Sequence, residues 1–115
     1  MTRPQAPKNL GPAGSRLWKS VVSALELRED ELVLFRDACR ITDSVEALQA
    51  AVERDGVLVN SAKTGELVPH PGLVEARQQR IVLARMLATL RFPDEDGHQA
   101  QRRAGGRGAY LRDVS

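Results

Sequence analysis

The residues that most often carry out chemistry in proteins are few in this sequence, and they are too far apart to act together. The histidines are His70 and His98, and the single cysteine is Cys39. A zinc site needs several His, Cys, Asp or Glu ligands that converge, and a cysteine nucleophile needs an adjacent base. The sequence offers neither arrangement, so it predicts no catalytic residue, no metal ligand and no cofactor.

A glycine-rich stretch near the C-terminus, Gly105-Gly106-Arg107-Gly108, could be mistaken for a phosphate-binding loop. It follows no predicted strand and lacks the Gly-Lys-Ser/Thr sequence that cradles phosphates in such loops. Two interpretations stay open for it: a flexible tail, or an Arg-Gly segment that contacts nucleic acid through charge without reading bases. In both cases the sequence indicates a protein that is not an enzyme.

Positive charge is concentrated at the two ends of the chain, although the net charge is only +2. Every charged residue before Ser20 is basic, and so is every one between Gln99 and Arg112, whereas the middle of the chain is mildly acidic. Basic ends on such a body favour contact with a polyanion. The candidate basic residues of the two ends are Lys8, Arg16 and Lys19, and Arg102, Arg103, Arg107 and Arg112.

The elements that must position these residues are predicted to be mainly helical. Residues 1–10 form a polar arm without periodicity, which predicts a flexible segment. Helix one should span residues 12–25, with a proline at its first position, and helix two residues 29–54, with acidic residues in its first turn. Residues 57–68 predict a small hairpin or flap, because two short apolar runs flank polar turn residues.

Helix three should span residues 72–90, after the His70-Pro71 turn, and residues 94–115 predict a flexible Arg- and Gly-rich tail. The apolar positions of helix three cover more than one stripe, which predicts burial both by its own chain and by a neighbour. The expected fold is therefore mainly α: a three-helix core over residues 11–93, with a β-hairpin flap between helices two and three, in a ring-forming homo-oligomer.

The core must rely on a few large side chains, because only 3% of the 115 residues are aromatic. Trp18 and Phe35 are predicted core anchors, and the alternative for Trp18 is a platform on which bases stack. His70 and Pro71 are predicted to form the entry to helix three. A core this thin favours gaining stability through oligomerisation.

Three arginines of helix three, Arg77, Arg80 and Arg85, have two possible roles. They could line a DNA channel, or they could form a solvated face paired with Glu75. For the compartment, the sequence has no apolar run of about 18 residues and no secretion signal at its N-terminus, and a lone cysteine fits a reducing environment. We expect no membrane contact and a cytoplasmic location.

In their order along the chain, several motifs resemble the short, helical family of bacteriophage terminase small subunits. They are Asn9-Leu10-Gly11-Pro12-Ala13-Gly14-Ser15-Arg16-Leu17-Trp18, the long second helix with Asp43, the Gly56-Val57 flap, and the His70-Pro71 entry to an Arg- and Leu-rich helix. The family often follows its third helix with a Leu-Gly-Leu-Thr-Pro-like segment. Here Leu90-Arg91-Phe92-Pro93-Asp94 keeps the proline and lacks the glycine.

The resemblance implies a non-catalytic, ring-forming subunit that binds double-stranded viral DNA at the packaging start, in the host cytoplasm. It also implies that the subunit regulates the ATPase and nuclease of the terminase large subunit, which the C-terminal segment with Arg102, Arg103, Arg107 and Arg112 would contact. Two alternatives are a small helical adaptor that binds only proteins and a dimeric helix-turn-helix repressor. The repressor is disfavoured, since no short helix pair with a tight glycine turn is apparent.

Overall fold

The computed structural model describes residues 3–93, and helices account for most of them. The elements are α1 (Pro12–Val22), α2 (Glu29–Asp55), β1 (Leu58–Asn60), β2 (Leu67–Pro69) and α3 (Pro71–Leu90). The prediction of three helices with a small hairpin between the second and third is confirmed. The two strands pair in antiparallel register, with Leu58 opposite Pro69 and Asn60 opposite Leu67.

Helix α2 is the central element, and both α1 and α3 pack against it. The largest group of buried side chains lies where all three helices meet, and it consists of Trp18, Leu32, Phe35, Ala38, Cys39 and Leu90. Phe35 stacks on Trp18 with ring centroids 5.5 Å apart, and its ring meets Phe92 edge to face at 5.4 Å. Three aromatic rings therefore carry much of the packing in a core that is otherwise aliphatic.

The ends of α2 follow the local rules that the sequence indicates. At its start, a Glu31 carboxylate oxygen accepts a hydrogen bond of 2.8 Å from the backbone N–H of Arg28, which satisfies one donor at this end of the helix. At its end, Gly56 adopts a positive φ of 88°, a conformation that glycine reaches without steric cost. The helix extends one residue beyond the predicted end, to Asp55.

Helix α1 is shorter than predicted, since it ends at Val22 rather than at residue 25. Near its end, two serine hydroxyls donate to backbone carbonyls three residues back, from Ser20 to Leu17 at 2.9 Å and from Ser23 to Ser20 at 3.4 Å. Such local bonds compete with continued helix. The apolar spacing extends to Leu25, but the chain has already left the helical path.

Helix α3 begins at Pro71 and is followed by Arg91, which adopts a left-handed conformation with φ of 52°. The backbone N–H of Arg91 donates to the Leu87 carbonyl at 3.1 Å. Glycine is the usual residue in such a conformation. The chain thus makes the turn after its third helix without the glycine that the resembling family often carries there.

Candidate DNA-contact and assembly surfaces

Three basic residues lie on or just before α1, and we call Lys8, Arg16 and Lys19 the α1 basic group. Arg16 and Lys19 are exposed and are three residues apart, which makes them neighbours on one side of the helix. Lys8 is also exposed and precedes the turn that leads into α1. Arg16 lines a shallow cleft between α1 and α2 together with Glu46, without forming an ion pair with it.

The position of α1 is fixed by a carboxylate from α2. The two oxygens of Asp43 accept hydrogen bonds from the backbone N–H groups of Gly11 and Gly14, at 2.7 and 2.8 Å. These N–H groups lie at the start of α1, where no partner exists within the helix and where the helix dipole favours a negative charge. One side chain, distant in sequence, thus caps α1 and joins it to α2.

Gly14 is the residue that allows this close approach. A Cβ atom at Gly14 would lie 2.6 Å from the carbonyl oxygen of Cys39 and would also collide with the Asp43 carboxylate. Contacts this short are not tolerated without backbone movement. The glycine therefore sets the distance between α1 and α2, and sequence reasoning missed both this role and that of Asp43, which were named only as parts of the family resemblance.

Trp18 faces the core and is only 4% exposed. Its ring is covered by Phe35 on one side, and the guanidinium of Arg36 lies 6.0 Å from the ring centroid. A ring that is covered in this way presents no free face on which a nucleic-acid base could stack. Of its two possible roles, the structure places Trp18 in the first, as a core anchor, and Phe35 beside it.

The three candidate arginines of α3 do not share one environment. Arg80 donates to the side-chain oxygen of Gln49 on α2 at 3.1 Å, so its guanidinium is turned toward the neighbouring helix. Arg77 and Arg85 are exposed on the outward side. Glu75 accepts instead from Gln79, at 3.0 Å, and forms no ion pair with any of the three arginines. The predicted pairing of this face with Glu75 is therefore not present.

Charge compensation separates the candidate residues from the other basic residues. Four arginines form ion pairs with carboxylates within the chain: Arg28, Arg36, Arg40 and Arg54. Within residues 3–93, none of the six candidates has an acidic partner, and these are Lys8, Arg16, Lys19, Arg77, Arg80 and Arg85. Their positive charge is available to an external anion.

Two exposed surfaces are apolar. On α3, Val74, Arg77, Ile81 and Arg85 follow at steps of three and four residues and form one stripe, which we call the α3 stripe. On the hairpin, Leu58, Leu67 and Pro69 are exposed and point to the same side, because side chains alternate along a strand and these positions face each other across the register. We call these three residues the flap face.

His70 joins the hairpin, α2 and α3 at one corner. Its Nδ1 accepts from the backbone N–H of Gly72 at 2.9 Å, and its Nε2 lies 2.9 Å from a carboxylate oxygen of Asp55. Hydrogen bonds from Arg54 first, and from His70 second, hold the pKa of Asp55 down at about 2. Both ring nitrogens of His70 are engaged, so the imidazole caps α3 and is not free to bind a metal or to act as a base.

The described part of the chain offers no chemistry of the kind an enzyme needs. Cys39 is fully buried, and burial, with a smaller contribution from Asp43, raises the pKa of its thiol to about 12. A thiol that stays protonated is a poor nucleophile. Among residues 3–93, no three His, Cys, Asp or Glu side chains come together in a group that could hold a metal ion.

Some predicted features lie outside the described residues, namely the tail 94–115 and its arginines Arg102, Arg103, Arg107 and Arg112. Of the predicted arm, residues 3–10 contain neither helix nor strand. No helix among residues 3–93 combines the length and the apolar character needed to cross a membrane. No protein-family model, curated protein or solved structure matches this chain.

Proposed function

We propose that this chain is the small subunit of a bacteriophage terminase, a non-catalytic ring-forming protein of the host cytoplasm that binds viral double-stranded DNA. In this role it binds the DNA at the packaging start and regulates the ATPase and nuclease of the terminase large subunit. The sequence resemblance suggests the family, and the distribution of charge supports DNA as the ligand.

The observation that carries the DNA-binding part is the set of six basic side chains without acidic partners among residues 3–93. They occur on two elements, with Lys8, Arg16 and Lys19 at α1 and Arg77, Arg80 and Arg85 on α3. Phosphates attract such groups, and each contact releases counterions from the DNA, which is a favourable term at low salt. A net charge of +2 is no obstacle, since it is the local charge that contacts DNA.

A ring would turn these few contacts per subunit into an extended basic surface. Several weak sites on one assembly engage one DNA molecule together, so the overall affinity exceeds that of each site. Contacts to phosphates position DNA without reading its sequence. The segment with Arg102, Arg103, Arg107 and Arg112 would then remain for the large subunit, as the resemblance implies.

The test is a salt titration of affinity for double-stranded DNA, measured by fluorescence anisotropy. We compare the wild type with Lys8→Gln/Arg16→Gln/Lys19→Gln and with a control that loses equal charge, Arg28→Gln/Arg40→Gln/Arg54→Gln. The control arginines already form ion pairs. We expect the first variant to bind more weakly to all sequences, and each lost phosphate contact should reduce the salt slope by about 0.9.

An equal loss of affinity in both triple variants would show that only net charge matters and would remove the α1 basic group from the DNA site. The same titration with Arg77→Gln/Arg85→Gln then tests α3.

The exposed apolar surfaces favour one alternative, a small adaptor that binds only proteins. A wild type that does not bind DNA even at low salt would overturn the proposed function and support this adaptor.

A further inference from the structure

Two surfaces of the chain combine exposed apolar side chains with charge of opposite sign. In the α3 stripe, Val74 and Ile81 are 49% and 45% exposed, and both lie next to Arg77. In the flap face, Leu58 and Leu67 are 53% and 65% exposed, and Glu66 directly precedes Leu67. Exposed apolar patches with a charged rim are typical of surfaces that bind another protein.

The α3 stripe is not complementary to a second copy of itself. If two copies of α3 packed antiparallel about Ile81, Arg77 of one would lie opposite Arg85 of the other. If they packed in parallel, each arginine would lie opposite its own counterpart. Like charges that face each other across an interface oppose association. The stripe therefore requires a partner surface that is apolar and acidic.

The flap face has this chemistry. Glu66 has no ion pair among residues 3–93, whereas the acids at the start of α2, which precede the exposed Val33, already pair with Arg28 and Arg36. Leu67, next to Glu66, is the most exposed of the large apolar side chains in the described residues. Apolar area and a free carboxylate thus occur together on the hairpin.

The hairpin is also held rigidly enough to serve as a binding surface. The Ser61 backbone N–H donates to the Glu66 carbonyl at 2.8 Å, and the Ser61 hydroxyl accepts from the backbone N–H groups of Lys63 and Thr64. The Thr64 hydroxyl accepts from the Glu66 N–H at 3.2 Å. At the base of the hairpin, the His70 N–H donates to the Val57 carbonyl at 2.7 Å. A pre-organised surface loses little entropy on binding.

We infer that the flap face of one subunit docks on the α3 stripe of the next, with Leu67 against Ile81 and with the Glu66 carboxylate facing Arg77 and Arg85. This inference rests on the proposed ring assembly and specifies its interface. The contact joins two different surfaces, so each subunit keeps one free surface of each kind until the assembly closes. Contacts of this head-to-tail type generate rings, whereas a contact of one surface with itself stops at a dimer.

The experiment uses two variants that each lose one surface, Leu67→Asp and Ile81→Asp, and analytical ultracentrifugation at micromolar concentration. Each variant alone should be a folded monomer, because one of the two complementary surfaces is missing. A mixture of the two should form a one-to-one dimer and nothing larger, since the intact α3 stripe of the first variant binds the intact flap face of the second. The control is Val33→Asp, an exposed apolar residue outside both surfaces, which should assemble like the wild type.

A charge exchange tests the ionic part of the interface. Glu66→Arg should weaken self-association by about tenfold or more, and adding Arg77→Glu and Arg85→Glu to the same chain should restore it. Circular dichroism verifies that every variant is folded.

The inference is overturned if Leu67→Asp assembles like the wild type, if the mixture stays monomeric, or if the wild type itself is a monomer. DNA binding is measured separately in the salt titration, so failure of this interface can be told apart from failure of the proposed function.

Discussion

The two elements that carry the candidate basic residues differ in how their surroundings satisfy them. At α1, the free N–H groups at the start of the helix are bound by Asp43, and Trp18 is enclosed in the core. On the outward side of α3, Val74 and Ile81 stay exposed, and the neighbouring Arg77 has no acidic partner among residues 3–93. One element is completed within the subunit and the other is not.

This difference separates two kinds of residue that a sequence alone presents as similar. Arg16 and Arg77 are both exposed arginines on helices. Arg16 stands on a helix that is fixed in place, so it is suited to hold a ligand in a defined position. Arg77 lies between exposed apolar side chains, where a protein surface would bury it together with them. The α1 basic group is therefore the first candidate for DNA, and the α3 stripe is the first candidate for assembly.

The largest effect should come from the core contact of α1. Trp18→Ala removes a buried indole that stacks on Phe35, and it should lower the free energy of unfolding by about 3–5 kcal/mol. The contrasting variant is Ile81→Ser on the outward side of α3, which should change the stability of the monomer by less than about 0.5 kcal/mol. Urea unfolding at a concentration where the subunit is monomeric measures both. A cost below about 1 kcal/mol for Trp18→Ala would contradict its core role.

A smaller effect is expected from the polar connection between α1 and α2. Asp43→Ala removes the acceptor of two backbone hydrogen bonds and leaves the N–H groups of Gly11 and Gly14 without a partner, which should cost about 2–3 kcal/mol. Asp43→Asn keeps one carbonyl acceptor and should fall between Ala and the wild type. The control is Asp37→Ala, an exposed acid of the same helix whose ion pair with Arg40 should contribute at most about 1 kcal/mol.

Equal costs for Asp37→Ala and Asp43→Ala would mean that the hydrogen bonds to α1 contribute no more than a surface charge does. An increased hydrogen-exchange rate in α1 of Asp43→Ala, with α3 unchanged, would instead locate the loss where the structure places it.

The sequence predicted the helices well because their existence depends on local pattern. The apolar spacing of α2 and the acidic first turn at Glu29 to Glu31 are both readable within one window of sequence. The predicted end of α1 was wrong by three residues, since apolar spacing extends to Leu25 while the hydroxyls of Ser20 and Ser23 bond to the backbone and the helix ends at Val22.

The candidate site could be predicted only in part, because pairing between distant residues leaves no local pattern. Asp43 and Gly14 are 29 positions apart, and Arg80 reaches Gln49 across 31 positions. Basic residues could therefore be named from the sequence, whereas the selection of those without acidic partners needed the fold. The exposed apolar pattern of α3 was readable and predicted a second partner, but the like-charge conflict within the stripe depends on knowing which residues face outward.

The smallest effect concerns a second connection between elements, the contact of Asp55 with His70 at the start of α3. Unlike Asp43, Asp55 is exposed, so water and salt weaken its interactions. Its pKa is lowered from the usual 3.8 to about 2, chiefly by the hydrogen bond from Arg54 and then by His70. A carboxylate with a lowered pKa in the folded state stabilises the fold above its unfolded pKa, and this contribution is lost as pH falls through the folded value.

The stabilising effect of Asp55 should therefore be complete above about pH 4 and should disappear toward pH 2. The measurement is the difference in unfolding free energy between the wild type and Asp55→Asn at low salt, followed from about pH 5 to pH 2. This difference should shrink as pH falls, because the protonated carboxyl group of Asp55 and the amide group that replaces it in the variant are then both neutral. Arg54→Gln should reduce the pH dependence more than His70→Ala does, since the hydrogen bond from Arg54 is the larger cause. A difference that stays constant over this range, or a larger effect of His70→Ala, would show that Arg54 does not dominate this corner, and that His70 acts there mainly by capping α3 through the N–H of Gly72.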